Sequence, residues 1–471
     1  MRHLRKLGFG FGASDDWSDP ESWLESQLTN TFPQLGYAEV SAMERNVVAW
    51  PSEYSPDLNE RVRRAISLVE ERQNVAQSDA SASEKERQER ALFDKYETRW
   101  YDQVRFLQAP MLESNHFRLR LSHFWLNHFT VGLNTIANLY LIGSFVKDAI
   151  YDKLDGSFAD LFYGASSHPA MLTYLDNIYN VGENSEFNRS CGCAGLNDNL
   201  ARELMELHSV SPSRRYTEDD IRDAAKILAG WGSSYERVLP EPISDHFQPY
   251  YRTRAEPGEK TVLGRTFEPG PGALRDLTDH LAADPMTADF LSRKLALHFV
   301  GDAATEDEIK EIRTAWLDSE GDLPTVHRAV ANVSLNSESS KFLWPMTWLS
   351  QLVRISDSRL CAGFAQFEQR FFTDATRMPG DIMDELGMNF WSSRQPDGFS
   401  DRKVDWVSSE HFERRVRFAQ ILFRFGNPRR SVDDMVDILQ PSETTKATLT
   451  STTSREERFV LLACSKDFFE V

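Results

Sequence analysis

Cysteine is scarce: four in 471 residues, too few for the disulfide framework that staples small secreted domains. Two of them, Cys191 and Cys193, share the loop motif SCGC. With no second close pair they read as a metal pair, a strained disulfide or an unconstrained loop. Long apolar runs are also missing. No stretch approaches the roughly 18 apolar residues of a membrane-spanning helix. The N-terminus MRHLRKLGFGFGASDDW is basic but broken by glycines, so no signal peptide is read and a cytoplasmic protein is expected. Positive charge is in deficit, 53 Lys+Arg against 72 Asp+Glu, for a formal net charge of -19. Neutralising phosphates takes a basic surface, so neither nucleic acid nor an anionic membrane is an expected partner. There is no GxGxxG, P-loop, HExxH or GxSxG, which removes the common nucleotide, zinc-protease and serine-hydrolase signatures.

What is present is helix. With 41% hydrophobic and 27% charged residues the chain has an ordinary globular composition and is long enough for a large core. Apolar residues recur at helical spacing through most of it, without the strand–helix alternation of a parallel sheet. The expected fold class is all-α, a multi-helix globular bundle with a small β-hairpin excursion. A single domain over 1–471 is expected, with a loop and hairpin insertion at about 239–272 and a second loop-rich region at about 373–402. Residues 33–55 read as loop, EPGEK as the hairpin's turn, and Pro110 as the opening of the next helix. Ser166 or Ser167 reads as the cap of the helix beginning near Pro169, and Thr217 with Asp220 resembles a capping box. The endings VANVSLNSESSKF and VLLACSKDFFEV look faintly alike.

The densest run of site-capable side chains is LNDNLARELMELHSV, Leu196 to Val210, which reads as one helix around which the chain is arranged. At about 100° per residue, Asn199, Arg202, Glu203 and Glu206 share one face and His208 lies on the other, with Ala201 and Leu204. Paired carboxylates serve acid–base chemistry when burial separates their affinities for a proton, one acting as acid and one as base. They can equally converge on a metal, or form a solvated face with Arg202 as ion-pair partner. Arg202 can hold an anion bidentately or simply lock Glu206 one turn away.

Elsewhere, Asn127 and the adjacent His128 diverge on their helix; Asn127 falls on a polar side and His128 on an aromatic one, where a core histidine is the simpler reading. His116, His123 and Asn127, at i, i+7 and i+11, would permit a metal face. Asp176 and Asn177 end the HPAML helix, either as a C-terminal cap or as a third acid and an amide facing the Glu203 helix. His168, His208 and His298, like Trp231, Trp344, Trp348 and Trp391, read as loop or core residues.

The motifs SHFWLNHFTV, HPAMLTYLDN, LNDNLARELMELHSV, RYTEDDIRDAAKILAGW, KTVLG, ADFLSRKLALHFV and QPDGF occur in this order. Together they resemble a bacterial family known as domain of unknown function eighteen hundred, over nearly the whole chain. The resemblance implies a mostly helical architecture and supplies no activity. It also implies export of many members and a partner protein resembling the alkaline-phosphatase and sulfatase superfamily. The chain departs from the family pattern in three places. Leu126 replaces the first histidine of Trp-His-Asn-His-Phe, which counts against a metal site there. Asn197-Asp198-Asn199 stands for Asn-Glu-Asn, and SPSRRYTE replaces a glycine-rich turn.

The resulting expectation is an enzyme with a buried polar pocket. Glu203, Glu206 and Asp176 would be its catalytic carboxylates, and Arg202, Asn127, Asn199, Asn177 and His128 its substrate-binding shell. The substrate would be a small polar or saccharide-like molecule; no metal is assigned and no cofactor is named. A non-enzymatic helical scaffold and a metal-dependent hydrolase are the alternatives.

Overall fold

Helices in this chain start where short polar side chains can accept the first free backbone N–H groups. Ser157, Thr217, Thr305 and Ser431 each form a reciprocal capping box with the acid three residues on, Asp160, Asp220, Glu308 and Asp434. Thr217 and Asp220 thus do what their spacing suggested. Prolines open the helices Pro169–Tyr174, Pro285–Phe299 and Pro345–Ile355, where the missing N–H costs nothing. The computed structural model describes residues 2–12, 19–29, 36–40, 45–49, 56–94, 97–133, 135–192, 195–211, 216–232, 250–358, 379–393 and 395–471. Within these the protein is mainly helical, with two two-stranded antiparallel hairpins. No helix among the described residues is long and apolar enough to cross a membrane.

The spatial axis is not the helix the sequence put at the centre. Every residue of His116–His128 is buried, so this helix is covered on all sides, as a helix in the middle of a large core must be. One hydrophobic cluster surrounds it and runs from Leu7 to Phe469. By contrast Asn199–Glu206 is eight residues long and buries one side only, Leu200, Ala201, Leu204 and Met205. The glycine-rich N-terminus packs on the axial helix. A Cβ on Gly8 would stand 2.9 Å from the His116 Cβ, and Arg120 donates to the Gly8 carbonyl at 3.1 Å.

Several local expectations are corrected. Gly36–Val40 and Arg45–Ala49 pair as strands rather than loop, in a register that sets Tyr37 opposite Val48 and Ala38 opposite Val47. Each strand is too short to display an alternation in sequence. The second hairpin, Lys260–Val262 with Arg265–Phe267, falls where expected. It turns at Leu263 and Gly264, both with positive φ, and EPGEK merely leads into it. Pro110 lies inside Glu97–Leu112, near enough to the end that its missing donor removes only one late bond. The cap of Pro169–Tyr174 is His168, whose Nδ1 accepts the Ala170 N–H at 3.1 Å. Ser166 and Ser167 instead bond back to the Phe162 and Tyr163 carbonyls of the preceding helix. Of the two loop-rich regions, residues 239–249 and 373–378 lie outside the described residues, as does Cys193. The two similar chain endings meet: Phe342 and Glu470 form an antiparallel bridge, flanked by backbone bonds between Lys341 and Val471 and between Leu343 and Phe469.

Candidate functional site

Five segments are linked around the half-buried Glu203 face of Asn199–Glu206: the C-terminal end of the axial helix, Tyr174, the 199–206 helix itself, Lys294 and the QPDGFSD loop, residues 395–401. The loop is fixed by Asn127. Its side-chain amide donates to the Phe399 carbonyl at 2.9 Å, and its oxygen accepts the Phe399 N–H at 2.7 Å. Gly398 must be glycine for this approach: its φ is +75°, and a Cβ there would lie 2.4 Å from the Asn127 carbonyl oxygen. The loop thereby brings Asp397 within electrostatic reach of Glu203, and both carboxylates within reach of Tyr174.

Glu203 is the perturbed acid of the group. Burial first, then the neighbouring Glu206 and Asp397, push its carboxyl up to about 7, with Arg202 opposing. Desolvation and like charge both favour the protonated form. Burial, Glu203 and Asp397 push the Tyr174 hydroxyl up to about 12. Glu206 faces the other way in chemical terms. It pairs with Arg202 at 3.4 Å, and together with burial it lifts the Tyr216 hydroxyl to about 12.

Arg202 is taken up by carboxylates, pairing with Asp198 at 3.0 Å and Glu218 at 3.1 Å in addition to Glu206. Its guanidinium is raised by the hydrogen bond to Glu218 above all. An incoming anion would have to displace these partners. Asn199 is exposed, and its backbone N–H bonds to the Asn197 side chain at 3.1 Å. Asp176 is half-buried in the left-handed conformation, φ 58°, just past the HPAML helix, so the capping role falls to it rather than to Asn177. Asn177 is buried and donates to the Leu228 and Trp231 carbonyls at 3.2 and 2.8 Å. Asn180 continues the tie to Ala225 at 2.8 Å and accepts the Asn197 N–H at 3.1 Å. These asparagines hold the 199–206 and Glu218–Leu228 helices in place from below the site.

His128 is buried, as its aromatic face suggested, yet it is wired to the site. Lys294 Nζ lies 3.1 Å from Nδ1, and Nε2 lies 3.1 Å from the His208 carbonyl. An ammonium only donates and a carbonyl only accepts, so the ring is neutral with its proton on Nε2. Burial and then Lys294 hold it well below the usual histidine range. Burial also lowers Lys294, while Asp401 and Asp397 support its charge. A second buried cluster adjoins it. His298 Nδ1 lies 2.7 Å from Asp401, its Nε2 lies 3.4 Å from Arg120, and Lys341 stands 3.7 Å from the same aspartate. The His116, His123 and Asn127 side chains go to separate partners. His116 accepts the Phe9 N–H at 3.4 Å, and His123 packs among Phe9, Phe106 and Phe390. Among the described residues no group of three or more His, Cys, Asp or Glu is arranged to hold a metal ion.

Asp397, Lys294, Tyr174 and Asp401 were not singled out from sequence. Three of them lie in motifs quoted above, QPDGF, ADFLSRKLALHFV and HPAMLTYLDN. The missing signal was partnership between segments more than 90 residues apart, from Tyr174 to Lys294 to Asp397, which helical periodicity does not carry.

No curated protein and no solved structure matches the chain. A family model does, from residue 2 to residue 468, and on that match the chain belongs to the family described as protein of unknown function (DUF1800).

Proposed function

We propose that this protein is an enzyme that transfers a proton from Glu203 to a polar, saccharide-like substrate, with Asp397 as the companion carboxylate. The observation that carries the reading is Glu203 itself: a half-buried carboxyl raised to about 7 beside two other acids. A group that is half protonated near neutrality is suited to general-acid work, and an acid–carboxylate pair with separated proton affinities is the arrangement glycosidic cleavage uses. Asp397 is preferred to Glu206 as the partner because Glu206 is already paired with Arg202. Lys294, held by His128 and flanked by Asp397 and Asp401, would orient substrate hydroxyls as a donor. Arg202 serves as a clamp on the acidic rim and Asn127 as the anchor of the Asp397 loop.

The test is reducing-end release from a panel of oligosaccharides, with Glu203→Gln and Asp397→Asn beside the wild type. Wild-type turnover should fall above about pH 7, where Glu203 loses its proton, and each variant should lose at least a hundredfold. Turnover that survives in both folded variants would overturn the acid–base reading.

A further inference from the structure

The protein carries a formal net charge of -19, yet one cavity of about 430 Å³ is lined by Arg424, Arg429, Arg430, Arg455 and Arg458 against a single carboxylate, Asp433. These arginines come from three segments: the end of the Ser409–Phe425 helix, the link that follows it, and the start of the Arg455–Ala463 helix. The link is fixed by its backbone, for the Arg429 and Arg430 N–H groups both donate to the Ser356 carbonyl, at 3.1 and 3.2 Å. Guanidiniums gathered around one space repel one another, and carboxylates between them offset that repulsion.

Two of the arginines are offset in this way. Arg424 pairs with Glu456 at 2.6 Å, and Arg458 pairs with Asp433. The other three are not. Arg430 donates from Nη1 to the Ile355 carbonyl at 3.0 Å and lies 5.1 Å over the Phe11 ring, contacts that place the group without neutralising it. Arg429 comes no nearer to a carboxylate than 3.9 Å, from Asp357, which is beyond hydrogen-bond distance. Arg455 forms no ion pair among the described residues. The Arg429 side chain is 42% exposed and Arg455 is exposed, so their donors can be reached from solvent. Phe423 and Phe459, with ring centroids 5.4 Å apart, supply an apolar wall. A guanidinium fork matches the edge of a phosphate, and a cavity of this volume is in the range of small organic ligands rather than of a bare ion.

We infer that the cavity between Arg429, Arg430 and Arg455 binds a phosphate group of two or more negative charges, carried by a small organic ester or by a free diphosphate. The site shares no residue with the Glu203 cluster and does not depend on the reading of that cluster. Titration calorimetry of the full-length protein at low ionic strength, with phenyl phosphate and inorganic pyrophosphate against benzoate, tests it. At least one of the two phosphates should bind at least tenfold more tightly than benzoate, which offers an aromatic body with a single charge. The tighter of the two tells whether the cavity takes an ester or the free anion. The double variant Arg429→Ala with Arg455→Ala, both on exposed side chains, should weaken that phosphate at least tenfold. No heat from either phosphate with the wild type, benzoate bound as tightly as both, or a folded double variant that binds like the wild type would overturn the assignment.

Discussion

Two charged clusters lie side by side in this molecule and are built on opposite terms. Around Asp401, the positive groups Arg120 and Lys341 and the neutral ring of His298 enclose a single buried carboxylate. Burial alone would raise Asp401, and its partners hold it below the usual carboxylate range. Around Glu203, by contrast, three carboxylates crowd one helix face, and Arg202, the cation nearest them in sequence, is spent on Asp198, Glu206 and Glu218. The matched cluster stabilises the fold. The mismatched one costs stability, and a perturbed group of that kind is what the proposed acid–base role of Glu203 rests on. Lys294 belongs to both, because Asp401 and Asp397 act on it together.

The contrast breaks if the matched cluster proves dispensable. Asp401→Asn leaves Arg120 and Lys341 buried without their anion, and should cost about 3–5 kcal/mol in urea unfolding; a loss under 1 kcal/mol would make the network ornamental. Next in size, Asn127→Ala removes both bonds to Phe399 and should cost about 2 kcal/mol. It should also let Asp397 drift away, so that Glu203, followed by carboxyl NMR, titrates lower than in the wild type. An unchanged Glu203 titration would mean that Asp397 is held by something other than this amide. The smallest effect has a distinctive sign. The folded-state value of Glu203, about 7, lies above its ordinary value of 4.5, so its protonated form stabilises the protein. That contribution is complete below about pH 4.5 and disappears as pH rises through about 7. Glu203→Gln should therefore match the wild type near pH 4 and exceed it by about 1–2 kcal/mol near pH 8, once solvent screening of a half-buried group is allowed for. A variant that is less stable at pH 8 would reverse the assignment of Glu203 to the mismatched cluster.

What could be read in advance divides along the same line. Helix content, the Thr217 capping box and the buried sides of His128 and His208 all follow from local spacing. Residue periodicity and cap chemistry are properties of a few neighbouring positions. Site-capable residues concentrate in 196–210, but burial on every side belongs to His116–His128, where Arg118, Arg120, Ser122 and Asn127 have the pattern of a solvated side and are buried all the same. Glu206 and Arg202 were grouped with Glu203 by helical phase, and only the position of Glu218 and Asp397, from other segments, separates them. Asn177 does other work than the substrate binding expected of it, since its amide donates to the carbonyls of Leu228 and Trp231, at and just past the end of the Glu218–Leu228 helix.

The pairing of the chain's two similar endings has a consequence for how the molecule closes. Because Lys341 and Val471 exchange backbone bonds and the Leu343 N–H donates to the Phe469 carbonyl, the last residues act as a clasp. Arg5 reinforces it from the opposite terminus, donating to the Asp467 carbonyl at 2.8 Å. Residues 5, 341–343 and 467–471 thus meet at one seam, and trimming the final few residues would loosen the N-terminal segment and the backbone at Lys341–Leu343 in a single step.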